Sequence, residues 1–243
     1  MEIAEDASKS RLLDPGQCPP CVLHHNNRTV EKIVQQLFLV GMRRNMSKSK
    51  LDDFITRVEL VVNRDILRRS NMHIDDRGGW HFSLTDGRKL DDVNLSNGRA
   101  RIFMQEFHHL VKVCTEGYKD DLLTANWNDA CDKFNVVAKW LDSKEHFEFE
   151  EVCKFQLDAD EFCDAYFLLT GRDGMTNYFH LLKAGHYAYF LRKYHNLYRY
   201  SQQGWENINS RLKRTFHHNT QKGGCGRSKL LPVIYTLLRD MLW

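Results

Sequence analysis

The sequence predicts an all-α fold: a bundle-like packing of roughly seven or eight helices with at most one small β-hairpin. Two observations carry this. Apolar side chains recur three and four residues apart through most of the 243 residues, and only one stretch alternates with period two. A third concerns size: at 42% hydrophobic and 12% aromatic, the chain holds enough apolar surface for a core in one or two domains.

Residues 1–20 read as an N-terminal tail without an apolar run. Over residues 28–45, Val30, Ile33, Val34, Leu37, Phe38 and Val40 line one helical stripe, with Gly41 marking its end or nearly so. Residues 51–67 give a second helix through Phe54, Ile55, Val58, Val61, Val62 and Ile66. Arg57, Arg64, Arg68 and Arg69 stand off its stripe as a solvated face.

Residues 71–96 are rich in Asp and Gly, and Trp80, Phe82 and Leu84 alternate as a short strand would, followed by the turn Thr85-Asp86-Gly87. The acids Asp75, Asp76, Asp91 and Asp92 lack the spacing of a calcium loop and read as loop solvation.

A third helix covers residues 98–117, with Ile102, Phe103, Phe107, Leu110, Val111 and Cys114 inward. His108 and His109 point about 100° apart there, and adjacent helical histidines seldom share one metal. Residues 120–141 and 147–169 follow as two long helices whose Trp127, Phe134, Trp140, Phe155, Phe162, Tyr166 and Phe167 read as core. Gly171-Arg172-Asp173-Gly174 breaks the chain. Residues 177–194 form a further helix with Tyr178, Leu181, Leu182, Tyr189 and Phe190 on one face. Trp205, Ile208, Leu212 and Phe216 stripe another, and residues 230–243 form the last. The domain reading is a tail at 1–20, a helical domain at 21–170 with the hairpin at 71–96, and a C-terminal region at 171–243.

Net charge is only +3, but its distribution is uneven. From Arg211 to the end seven Lys or Arg face one acid, whereas Asp142 to Asp164 holds nine acids against Lys144 and Lys154. No window has the eighteen or so apolar residues of a membrane span. Seven cysteines, most within helical patterns, read as reduced thiols. Cys18-Pro19-Pro20-Cys21 has the spacing of a zinc half-site or a redox pair, and a zinc role beside His180 and His186 stays open. No Gly-rich phosphate loop, nucleophile motif or HExxH is present, which argues against a self-contained enzyme of another kind.

The residues that carry chemistry cluster late. His180, His186 and Glu206 precede a basic run, Arg211, Lys213 and Arg214, and a positive loop holding Lys222 and Arg227. Glu206 has a plain reading as a first-turn acid behind a Ser201 cap. The loop suits either phosphate contact or a simple exposed connection.

Thr176-Asn177-Tyr178-Phe179-His180, with His186 and then Glu206-Asn207 leading into Arg211, Lys213 and Arg214, resembles the C-terminal part of the catalytic subunit of the V(D)J recombinase and the Transib-type DDE transposases. Cys21-Val22-Leu23-His24-His25 is a weaker likeness to the segment that opens that family's helical insert. The resemblance implies a structural zinc on His180 and His186, and Glu206 as the last of three carboxylates that hold two Mg or Mn ions for phosphodiester cleavage and strand transfer. It also implies that Arg211, Lys213, Arg214, Lys222 and Arg227 touch transposon-end-like duplex DNA, with a nuclear site of action and a homodimer. The histidine spacing is one residue longer than the family's, and the strand-rich sheet with the first two aspartates has no counterpart. The expectation is therefore a C-terminal fragment of a transposase or a domesticated gene derived from one, inactive alone unless a longer transposase-derived chain completes the site. The competing expectation is a non-catalytic helical protein-interaction module.

Overall fold

A computed structural model describes residues 19–45, 47–67, 84–85, 89–90, 93, 95–119 and 121–201. Eight α-helices account for most of them: α1 Val22–Arg44, α2 Lys48–Leu60, α3 Asn97–Gln105, α4 Phe107–Thr115, α5 Asp121–Asp142, α6 Phe149–Thr170, α7 Asn177–Lys183 and α8 His186–Tyr194. The all-α reading is correct. Two two-residue strands, β1 Leu84–Thr85 and β2 Lys89–Leu90, pair antiparallel with Leu84 opposite Leu90. Trp80, Phe82 and the acids Asp75, Asp76, Asp91 and Asp92 lie outside the described residues.

No helix among the described residues is long and apolar enough to cross a membrane. The chain divides into a compact unit ending at Tyr200 and a second unit from Ser201 to Trp243. Glu206, Arg211, Lys213, Arg214, Lys222, Arg227 and Cys18 lie outside the described residues.

Helix α1 is the centre of the first unit, packed against α2, α3, α4, α5 and α7. It begins six residues before the expected start at Arg28, because polar side chains at its head are buried rather than solvated. Asn26 donates to Asp142 at 3.1 Å, and Glu31 accepts from the Leu95 backbone N–H at 2.8 Å while pairing with Arg28 at 2.7 Å. A buried polar group that keeps its hydrogen bonds can stand where only an apolar one is expected. Burial has pushed the Asp142 pKa up, against the opposing pull of Arg101.

Helix α1 ends at Arg44, shortly after Gly41 as expected, and Gly41 itself lies inside the helix and does not stop it. It is a contact position instead: the Phe54 ring of α2, 1% exposed, lies so close that a β-carbon on residue 41 would collide with it. Gly41→Ala therefore destabilises the fold by about 1–3 kcal/mol of overpacking, less about 1 kcal/mol returned by helix propensity. A denaturant midpoint that falls for Gly41→Ala and recovers when Phe54→Leu is added tests this.

Two helices expected to be continuous are broken. The third is split at Glu106 into α3 and α4, where the Glu106 N–H is shared between the Ile102 and Phe103 carbonyls at 3.1 and 3.2 Å. No Gly or Pro marks the break, so periodicity alone runs through it. The second break, at Ala184 and Gly185, shapes the candidate site.

The long pair α5 and α6 packs face to face through Phe134 and Phe162, whose ring centroids are 5.2 Å apart. Glu148 and Glu151 close a capping box at the start of α6. Cys114, Cys131 and Cys163 are buried free thiols, and burial pushes Cys163 up to about 12, as expected of reduced core cysteines.

The end of α8 is tied back to the α5–α6 loop. The Phe147 N–H donates to the His195 carbonyl at 2.9 Å, Asn196 donates to the Ser143 and Glu145 carbonyls at 3.2 and 2.7 Å, and His146 stacks on His195 at 4.2 Å. Helices α7 and α8 thus share one body with those before them.

Candidate metal site on α7 and α8

His180 lies in α7 and His186 is the first residue of α8. On one unbroken helix, residues six apart point about 120° away from each other. The helix is not unbroken. Gly185 takes φ 75°, a left-handed conformation that glycine adopts without a β-carbon penalty. Its N–H donates to the Leu182 carbonyl at 3.0 Å, and its own carbonyl accepts from Tyr189 to start α8.

Across this kink the two imidazole centroids come to 5.7 Å, with their planes 56° apart and both side chains exposed. Rings at that separation can turn one nitrogen each toward a shared ion.

The scaffold under the pair is rigid. Phe179 stacks on Tyr166 at 4.7 Å and on Phe162 at 5.4 Å, which fixes α7 on α6. Gln156 of α6 donates to the Leu182 carbonyl at 3.2 Å, one turn before the kink. Lys183 reaches the Asp164 carboxylate at 2.8 Å, an ion pair that raises the lysine pKa. On α8, Tyr187 is buried and meets His25 edge-on at 4.9 Å.

The pair fits half a zinc site. A structural zinc takes four ligands, and among the described residues no group of three or more His, Cys, Asp or Glu side chains could hold a metal. Cys21 sits at the head of α1 and does not complete such a group. Glu206 and the basic residues expected to act with the pair lie outside the described residues. The chain has no match among protein-family models, curated proteins or solved structures.

One ionisable group that sequence reading left aside is His25. It is fully buried, neither ring nitrogen has a hydrogen-bond partner among the described residues, and burial lowers its pKa from 6.5 to about 3. Its ring stands edge-on to Tyr178 at 5.7 Å as well as to Tyr187. The signal was available: His25 is three residues from Val22 and four from Thr29, both buried, so it lies on the inward face of α1.

Proposed function

We propose that this chain is a helical DNA-binding module of DDE-recombinase descent that neither cuts nor joins DNA by itself. The observation that carries the reading is the approach of His180 and His186 to 5.7 Å across the Gly185 kink, which offsets the extra residue between them. In this reading the two imidazoles supply two ligands of a structural zinc, which fixes α7 and α8 ahead of the basic C-terminal sequence. Arg211, Lys213, Arg214, Lys222 and Arg227 meet the phosphates of a transposon-end-like duplex. Glu206 is one carboxylate of the three that two Mg or Mn ions require, so catalysis needs a longer transposase-derived chain as partner. A nuclear location and a homodimer belong to the same reading.

Cobalt(II) tests the histidine pair, since its d–d absorption reports nitrogen ligation. The purified chain is expected to bind it, His180→Ala and His186→Ala are each expected to abolish the signal, and Gly185→Ala to weaken it. That last change also strains the backbone by about 1 kcal/mol. An unaltered spectrum in both histidine variants rejects the site.

DNA binding is tested by fluorescence anisotropy of a labelled duplex at several salt concentrations. Affinity is expected to fall steeply with salt, with a shallower slope once Arg211, Lys213 and Arg214 are replaced by Ala. Binding should persist in Glu206→Gln, with no Mg- or Mn-dependent cleavage in either form. Indifference to DNA at low salt sinks the proposal.

A second reading, a non-catalytic protein-interaction module, draws on a different observation: Phe149, Leu157, Phe167 and Leu168 of α6 are exposed.

A further inference from the structure

Nine large apolar side chains are exposed among the described residues, and four belong to α6: Phe149 at 65%, Leu157 at 64%, Phe167 at 45% and Leu168 at 85%. Scattered singly, exposed apolar residues need no explanation. These four are not scattered. At about 100° per residue they fall within an arc of roughly 100° on the helix, opposite Val152, Phe155, Ala159, Phe162, Cys163 and Tyr166, which enter the core.

The same arc holds Glu150, Cys153, Asp160 and Asp164, so this outward side of α6 is apolar toward its two ends and acidic between Leu157 and Phe167. At about 1.5 Å per residue it runs roughly 28 Å from Phe149 to Leu168. Arg192 of α8 lies over the Phe149 ring at 5.3 Å, and Tyr189, one turn before it, is itself 52% exposed, so the apolar surface continues onto α8.

We propose that this face of α6 is the docking surface for a partner helix that is amphipathic and basic. Apolar side chains toward both ends of a face about 28 Å long match a helix laid along it. The charge is set by α6 itself, which carries six carboxylates and one lysine, Lys154. Asp160 and Asp164 on the stripe are taken up by Lys183, at 3.5 and 2.8 Å. Glu150 and Glu161, both exposed, lie together along the edge beside Leu157 and Leu168 and present negative charge outward. A second copy of this chain is a poor occupant, because a two-fold pairing through α6 sets acidic rims against acidic rims. A partner with Lys or Arg beside its apolar stripe meets them with opposite charge.

The test is a titration of the full chain into a fluorescein-labelled, roughly 20-residue helical peptide with Leu at three- and four-residue spacing and Lys along one flank of that stripe. Its counterpart has Glu in place of every Lys. The Lys peptide is expected to bind with micromolar affinity. It should bind at least about tenfold more weakly to Leu157→Gln/Leu168→Gln, and the Glu peptide should bind wild type at least about tenfold more weakly. Circular dichroism should be unchanged in the variant, because both side chains are exposed. Leu60→Gln/Leu122→Gln, exposed on other helices, should bind like wild type. Equal binding by the α6 variant, equal binding of the two peptides, or no binding of the Lys peptide overturns the proposal. So does a concentration-dependent dimer in sedimentation velocity that Leu157→Gln/Leu168→Gln dissolves, since the face would then belong to a second copy.

Discussion

Lowering the pH from about 7 to about 4 is expected to cost the folded chain about 3 kcal/mol through His25 alone. The fold holds this imidazole neutral: it is fully buried with neither nitrogen hydrogen-bonded among the described residues, and its pKa falls from 6.5 to about 3. In the unfolded chain it takes a proton below its ordinary value of 6.5. The unfolded state thus binds more protons than the folded one throughout that window. Stability is whole above the ordinary value and drains away as pH falls toward the folded one, at about 1.4 kcal/mol per unit. Against a total of roughly 5–15 kcal/mol the loss is large.

Asp142 works in the opposite sense, because burial raises its pKa, so the raw pH curve mixes the two. The difference between wild type and His25→Phe isolates the histidine. Phenylalanine keeps a ring against Tyr178 and Tyr187 and has nothing to titrate. Denaturant midpoints measured from about pH 7 to about pH 4 should fall more steeply for wild type than for the variant. Parallel curves would mean that His25 is solvated or paired and that α1, α7 and α8 do not close over it.

His25 also shows where the sequence was legible and where it was not. Its stripe is readable, but the expected helix starts at Arg28 because His24, His25, Asn26 and Asn27 look solvated when taken one by one. The burial of His25 and Asn26 depends on elements far away in the chain, such as Asp142 for Asn26, which no local pattern announces. Gly41 and Gly185 make the same point from opposite sides. Both are glycines inside helical periodicity, yet the first is a packing position within a helix and the second a left-handed break. Only the second changes the candidate site, and it does so by bringing together two histidines whose spacing on a straight helix would part them. The long apolar stripes of α5 and α6 needed no such context: their ends fall within about two residues of those expected.

Phe162→Ala should cost about 3–5 kcal/mol, the range for emptying a buried aromatic site. Phe162 is fully buried and joins three helices: its ring lies 5.2 Å from Phe134 of α5, 5.9 Å from Tyr166 of α6 and 5.4 Å from Phe179 of α7. No single neighbour can relax into the space without abandoning another stack, so most of the cavity persists. Because Phe179 directly precedes His180, the loss also loosens the floor under the histidine pair, and cobalt binding should weaken with it. Phe167→Ala is the matched comparison. It removes the same side chain from the same helix five residues later, where the residue is 45% exposed. Its cost should be about 1 kcal/mol, well below that at residue 162. Chemical denaturation of the two variants decides the assignment of faces on α6. A large loss at residue 162 with a small one at residue 167 leaves Phe167 free for a partner. Comparable losses at both would mean that the helix is turned about its axis and that the stripe assigned to docking is part of the core.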